Sequence, residues 1–112
     1  MPSFIQRFLY PTVEDLAREY RRRIEMALGR SVEVILYGSY ARGQASEESD
    51  IDLLVILPCR TPQVENLLDE VAWEIGFEAG KILSVIPVGQ DELPLLQASP
   101  FLQNVRQEGI PI

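Results

Sequence analysis

The chain has no histidine among its 112 residues. That absence removes imidazole zinc sites, Ser-His-Asp triads and histidine general bases together. There is one cysteine, Cys59, so no internal disulfide forms. Its thiol follows Pro58 in a loop, with no neighbour that would activate it. Without imidazole or a thiolate cluster, a metal ion would have to be held by oxygen, which points to magnesium or manganese. Positive charge is also short: 10 Lys and Arg against 17 Asp and Glu give a net charge of −7. Such a surface neutralises phosphates poorly, so non-specific nucleic-acid binding is not expected. No apolar run approaches the ~20 residues of a membrane span. The stretch MPSFIQRFLYP lacks the charged start and long apolar core of a signal peptide. Together these absences favour a cytoplasmic protein.

What is present is enough apolar matter, 46% of residues, for one core, and the length suits a single domain over residues 1–112. TVEDLAREYRRRIEMALG carries Val13, Leu16, Ala17, Tyr20, Ile24, Ala27 and Leu28 at helical spacing, with Thr12 and Asp15 at its start and Gly29 at its end. Arg21, Arg22 and Arg23 read as a solvated helix face. VEVILYG (32–38) and IDLLVIL (51–57) read as strands, the second buried on both faces. A longer helix runs from Thr61-Pro62 to Gly80, with Val64, Leu67, Leu68, Val71, Ala72, Ile75 and Phe77 on its apolar side. Trp73 is assigned to the core rather than to a protein interface. KILSVIPV (81–88) is a third strand, and Pro87 places it toward an edge. A helical turn over Asp91 to Leu96 and a last helix from Ser99-Pro100 to Gly109 follow. Phe101 and Leu102 there serve either a dimer contact or packing on the sheet. IPI ends the chain, as added strand or as a frayed end.

The order is helix, strand, short helix, strand, helix, strand, helix: a small α/β or α+β domain with a mixed sheet. The link from Gly38 to Asp50 is too short for an ordinary parallel crossover. The first two strands are therefore antiparallel or joined by one short helix.

The chemistry concentrates in GSYARGQASEESDIDLLVI, residues 38–56. Residues i and i+2 of a strand share a face, so Asp50 and Asp52 project together while Ile51 turns into the core. Two carboxylates so close repel and raise each other's pKa, and a divalent cation between them removes that cost. Mg²⁺ is commonly held by one or two carboxylates, with water and substrate phosphates completing its shell. If Tyr40 to Gly43 open a helix, free N–H groups after Gly38-Ser39 would hold a phosphate, aided by the helix dipole. Arg42 adds a fork of donors suited to a triphosphate.

These residues match a known pattern: Gly-Ser, an Arg-Gly a few residues on, then Ser-Asp-x-Asp-Leu. Gly38, Ser39, Arg42, Gly43, Ser49, Asp50, Asp52 and Leu53 fall on it. The stretch resembles the signature of the DNA polymerase beta-like nucleotidyltransferase superfamily, and within it the minimal nucleotidyltransferase (MNT) domains. The resemblance implies a small mixed sheet with helices mainly on one face. It implies ATP or another NTP as donor, Mg²⁺ (or Mn²⁺) on the catalytic Asp50 and Asp52, and nucleotide contacts at Gly38, Ser39, Arg42 and Ser49. It further implies a helical HEPN-type partner from a neighbouring gene, with the MNT protein as antitoxin, in some cases adding AMP to a tyrosine of that partner. A homo-oligomer is a further possibility.

One part of the family pattern is missing. Active members carry a third carboxylate on a later strand, and KILSVIPV holds no acid. Ser84 lies where that acid is expected. The nearest acids are Glu78, read first as a solvated helix-terminal residue, and Asp91 past the strand. Glu47 and Glu48 read as exposed loop residues. Two functions are therefore carried forward: a transferase moving AMP from ATP to a hydroxyl on the partner, and a catalytically weak subunit that masks the partner.

Overall fold

The computed structural model describes residues 9–112. Helix α1 (Val13–Leu28) begins where the Thr12 hydroxyl accepts the Asp15 N–H and ends at Gly29. Strands β1 (Glu33–Tyr37) and β2 (Ile51–Leu57) follow. Helix α2 (Pro62–Ala79) is capped by Thr61 and closed at Gly80. Strand β3 (Leu83–Gly89) leads through a 3₁₀ turn, Gln90–Glu92, into the single turn α3 (Leu93–Leu96). Helix α4 (Pro100–Glu108), capped by the Ser99 hydroxyl, and the short β4 (Ile110–Pro111) complete the fold. The expected stop and start residues act as read, because each satisfies backbone groups that a helix end leaves open.

The sheet order is β3-β2-β1-β4. β1 is antiparallel to β2 and to β4, and β2 is parallel to β3. The sheet is thus mixed, β3 is an edge strand as Pro87 implied, and the chain's last residues do join the sheet. β2 is central and buried at every position except Asp52. Its odd residues, Ile51, Leu53, Val55 and Leu57, pack with Leu16, Tyr20, Ile24, Leu68, Val71 and Ile75 of the two long helices. Its even residues Leu54 and Ile56 face Leu102 and Val105 of α4, with Ile35 and Val88. The long helices therefore take one face, and α3 and α4 cover part of the other. The part left open begins at Asp52.

Three expectations are corrected. No helix forms after Gly38. Residues 38–43 are turns, because Gly38 (φ 76°) and Gly43 (φ 71°) are both left-handed and bracket the segment too tightly for more. Trp73 is not core: it is 70% exposed, Phe77 beside it is 68% exposed, and the rings stack at 5.4 Å. Leu68, Val71, Ala72 and Ile75 already fill the buried stripe of α2, so Trp73 and Phe77 fall on the neighbouring side. The arginine run is not simply solvated. Arg23 reaches Glu19 at 2.8 Å and Glu78 at 3.0 Å, tying α1 to the end of α2. Leu102 is buried in the sheet contact and Phe101 packs on Tyr37. Of the apolar stretch FIQRFLYP, residues 4–8 lie outside the described residues.

Leu54 is fully buried where the sheet meets α4. Leu54→Ala is expected to lower unfolding free energy by about 2–5 kcal/mol in urea titration. A loss below 1 kcal/mol would contradict the close packing of this second face.

Candidate functional site

Register places Asp52 between two neighbours: Tyr37 on β1 and Ser84 on β3. All three occupy one row across the sheet, on the face shared with α4. Asp52 is half-buried, Asp50 just before the strand is exposed, and Ile51 is fully buried. The Asp52 carboxyl is pushed above its ordinary value, first by burial and then by the charge of Asp50, with Arg42 opposing. The charge of Asp50 therefore reaches Asp52.

The turn after β1 is built against this carboxylate. A Cβ on Gly38 would lie 2.3 Å from Asp52 Oδ2. Gly38 is thus required twice, by its left-handed φ and by the space the acid occupies. The Gly38 carbonyl accepts the Arg42 N–H at 3.1 Å, and the Ser39 carbonyl accepts the Gln44 N–H at 2.9 Å. The N–H groups of Ser39, Tyr40 and Ala41, first in the turn, have no acceptor among the described residues. These donors come from one turn, with no helix dipole behind them. Arg42 is exposed; its Nε meets Gln44 at 3.2 Å and its Nη1 meets Glu108 at 3.8 Å. Ser49 braces the loop, its Oγ accepting the Ser46 N–H at 2.9 Å.

Lys81, which the sequence reading passed over, holds the loop in place. Its Nζ donates to the Glu47 carbonyl at 2.6 Å and to the Tyr40 hydroxyl at 3.1 Å. The Ile51 N–H also donates to the Ile82 carbonyl at 2.9 Å. The helix-to-strand junction after α2 thereby fixes both ends of the polar loop. A lone Lys after a helix-ending Gly carries no signal for this; the contact spans 34 residues of sequence.

The third acid is absent from the row. Ser84 stands opposite Asp52 on β3. Asp91 lies past Gly89, which pairs with Leu57 at the far end of β2. From Ser84 to Gly89 is roughly 17 Å of strand, so Asp91 belongs to the opposite end of the sheet. Glu78 is at the near end but is committed elsewhere: Tyr10 donates to it at 2.8 Å and Arg23 at 3.0 Å. Burial pushes its carboxyl up, and the bonds from Arg23 and Tyr10 outweigh this and hold it below the ordinary range. It is an ion-pair residue, neither simply solvated nor a third ligand. Among the described residues no group of three His, Cys, Asp or Glu side chains converges on one point.

A metal ion nonetheless fits what is there. The donors are the Asp52 carboxylate and that of Asp50 two residues before it, the first destabilised by burial and by the charge of the second. The charge of a divalent cation would favour the ionised carboxyl and offset both effects, and two carboxylates suffice for Mg²⁺ when water and phosphate oxygens fill the remaining positions. An acid against a glycine turn whose N–H groups are unpaired among the described residues, with a second acid two residues before it, is the arrangement of a phosphoryl- or nucleotidyl-transfer type of site.

Comparison with known proteins agrees. The Nucleotidyltransferase domain family matches residues 15–103. Two proteins of Methanocaldococcus jannaschii, each named "Putative protein adenylyltransferase", are similar. One is 48% identical over 87% of this chain and 86% of its own length; the other is 33% identical over 83% of this chain and 66% of its own. A "Bifunctional uridylyltransferase/uridylyl-removing enzyme" of Chromobacterium violaceum is 34% identical over 70% of this chain, which spans only 9% of that protein. A solved structure described as a "putative minimal nucleotidyltransferase" aligns with a TM-score of 0.53 at 27% identity, over 86% of this chain and 92% of that one. The chain belongs to the nucleotidyltransferase domain family, with an MNT-type domain.

Two outcomes test the site's electrostatics and sterics. The pKa of Asp52 is raised on folding, so the folded state holds its proton more tightly and stability falls as pH rises above the ordinary value of 3.8. Asp52→Asn is therefore expected to melt higher than the unmodified protein at neutral pH, with the gap closing on acidification. A lower melting temperature at neutral pH would refute this. Gly38→Ala is expected to displace the Asp52 carboxylate and to remove any stabilisation by added Mg²⁺ or Mn²⁺ in thermal melts. Unchanged cation stabilisation would contradict the contact.

Proposed function

We propose that the protein moves AMP from ATP to a hydroxyl on a helical HEPN-type partner, as the antitoxin of a toxin–antitoxin pair. The observation that supports the transferase reading is the contact of Gly38 with the Asp52 carboxylate, which sets a turn with unpaired N–H groups directly against that acid. The names of the M. jannaschii relatives support adenylyl as the group moved and a protein as its acceptor.

In this reading the N–H groups of Ser39, Tyr40 and Ala41 and the Ser39 hydroxyl bind phosphate oxygens of the donor. Asp50 and Asp52 hold Mg²⁺. When bound, the ion neutralises charge on the entering and leaving oxygens. Arg42 gives up its exposed, weak pairing with Glu108 to reach the triphosphate. The acceptor oxygen bonds to the α-phosphorus, the bond to the bridging β-phosphate oxygen breaks, and pyrophosphate leaves. With Ser84 in the row, β3 offers no carboxylate to take the hydroxyl proton, which passes to water.

That serine favours a second reading, in which the subunit neutralises its partner chiefly by covering it. The surface beside the site supports a protein partner under either reading. Trp73, Phe77 and Ile82 are each about two-thirds exposed and line a groove of about 630 Å³. Helix α2 around them carries Glu65, Asp69, Glu70, Glu74 and Glu78 and neither Lys nor Arg. Exposed stacked aromatics in a groove that Asp69 and Lys81 also line fit a partner with a partly apolar face.

Incubation with α-labelled ATP, Mg²⁺ and a co-expressed HEPN-type partner is expected to label the partner. Asp52→Asn should abolish labelling while remaining folded; equal labelling would sink the transferase reading. Ser84→Asp should raise the labelling rate by about tenfold or more, since a positioned base is worth ~10²–10⁴ when fully effective. If the Asp50/Asp52 double variant still neutralises the partner and no label transfers, masking replaces transfer.

A further inference from the structure

Tryptophan is highly buried on average, yet Trp73 and Phe77 are 70% and 68% exposed and stack on each other at 5.4 Å. They form one wall of the groove of about 630 Å³ beside helix α2. The groove is deep for a local reason. Ala72, Gly76 and Gly80 recur at helical spacing and carry little or no side chain. Gly76 is fixed by the turn that follows, since a Cβ there would lie 2.5 Å from the Lys81 carbonyl oxygen. On the other side stand Ile82, 67% exposed, and Leu83, the first residue of β3. β3 is an edge strand, so no further strand among the described residues closes the groove there. Adjoining exposed apolar side chains of this kind mark a contact surface.

We infer that residues 1–8 of the same chain fold back over this groove and set Phe4, Ile5 and Phe8 against Trp73, Phe77 and Ile82. Position, composition and tethering each point to this occupant.

The segment joins the fold at the right place. The Tyr10 hydroxyl donates to Glu78, in the last turn of α2, at 2.8 Å. Tyr10 also lines a small cavity of about 160 Å³ with Val13, Ala79 and Lys81, and Lys81 borders the groove as well. The chain therefore enters the described fold at the Lys81 end of the groove. Eight extended residues reach about 26 Å, and Trp73 lies about 11 Å along the helix from Gly80. Residues 1–8 span the groove with length to spare.

Its composition matches. Phe4, Ile5 and Phe8, together with the exposed Leu9, fall at the spacing of one helical face. Arg7 is the only charged side chain among residues 1–8. Helix α2 carries no Lys or Arg, and its Asp69 lines the groove. Three large apolar residues and one positive charge thus meet an apolar groove on an acidic helix.

Tethering decides between this segment and a second copy of the chain. A segment held next to its site by a short link has an effective concentration in the mM range, and a free second copy competes only when it is as concentrated. A partner protein seated on the groove has to displace the segment, so the two contacts exclude each other.

Trp73 is the only tryptophan of the chain, so its fluorescence reads the groove directly. In the whole chain, Phe4→Glu/Phe8→Glu is expected to shift the Trp73 emission to longer wavelength and raise its acrylamide quenching constant about twofold, as a ring that loses its apolar cover returns to water. Unchanged emission and quenching overturn the inference. Loss of Trp73 shielding when the unmodified chain is diluted also overturns it, because a second copy is then what covers the groove. Trp73→Ala/Phe77→Ala alters two exposed side chains and leaves the core untouched. In that variant trypsin is expected to cut after Arg7 severalfold faster than in the unmodified chain, since an undocked terminal segment is open to proteases. Equal cutting rates overturn the assignment as well. Neither readout involves nucleotide or metal, so the transferase reading stands or falls separately.

Discussion

The antiparallel pairing of β1 with β2 sets Tyr37 opposite Asp52 and brings the chain back through Gly38 against that carboxylate. Everything chemical in the molecule follows from this one register. A slip of one residue would turn Asp52 into the helix-packed core and Ile51 out to solvent. The apolar residues on either side make that slip expensive. Ile51, Leu53, Val55 and Leu57 are buried against two helices, and Leu54 and Ile56 against α4. A strand buried on both faces leaves one position free for a charge, at the end where α4 stops covering the sheet.

The same packing keeps a destabilised acid in place. Burial and Asp50 both oppose ionisation of Asp52, and a protein tolerates such strain where a ligand relieves it. The surrounding contacts make the polar loop rigid enough to hold it. Lys81 pins the loop to the α2–β3 junction, Ser49 closes its own turn, and Arg23 with Glu78 locks α1 to α2 away from the site. The acids outside the site are thus spent on ion pairs or left in solvent. The carboxylate pair stands without a third member in its row.

Much of this was legible in the chain. Helix starts at Thr12, Thr61 and Ser99, stops at Gly29 and Gly80, the buried central strand and the edge position of Pro87 are all local matters. Each depends on residues within one turn or one strand, so spacing alone reveals them. The carboxylate pair and the glycine turn were legible for the same reason, as was Ser84 in place of an acid. Trp73 was misread because a helix shows its apolar residues in sequence but not how many of them the core has room for. The helix expected after Gly38 was misread because two left-handed glycines five residues apart close a turn before a second one can form.

The sequence by itself determined the long helices, the strands, their order and the identity of the chemical groups, because short-range periodicity and backbone preferences dictate those. Only the tertiary structure decided which groups meet. It set Gly38 against Asp52, Ser84 beside them, Asp91 at the wrong end of the sheet and Glu78 in the grip of Arg23. It also joined Tyr37 to Phe101 across more than half the chain, and left Trp73 and Phe77 facing outward. Contacts between residues so far apart depend on strand register and helix packing, which are properties of the whole core rather than of any stretch within it.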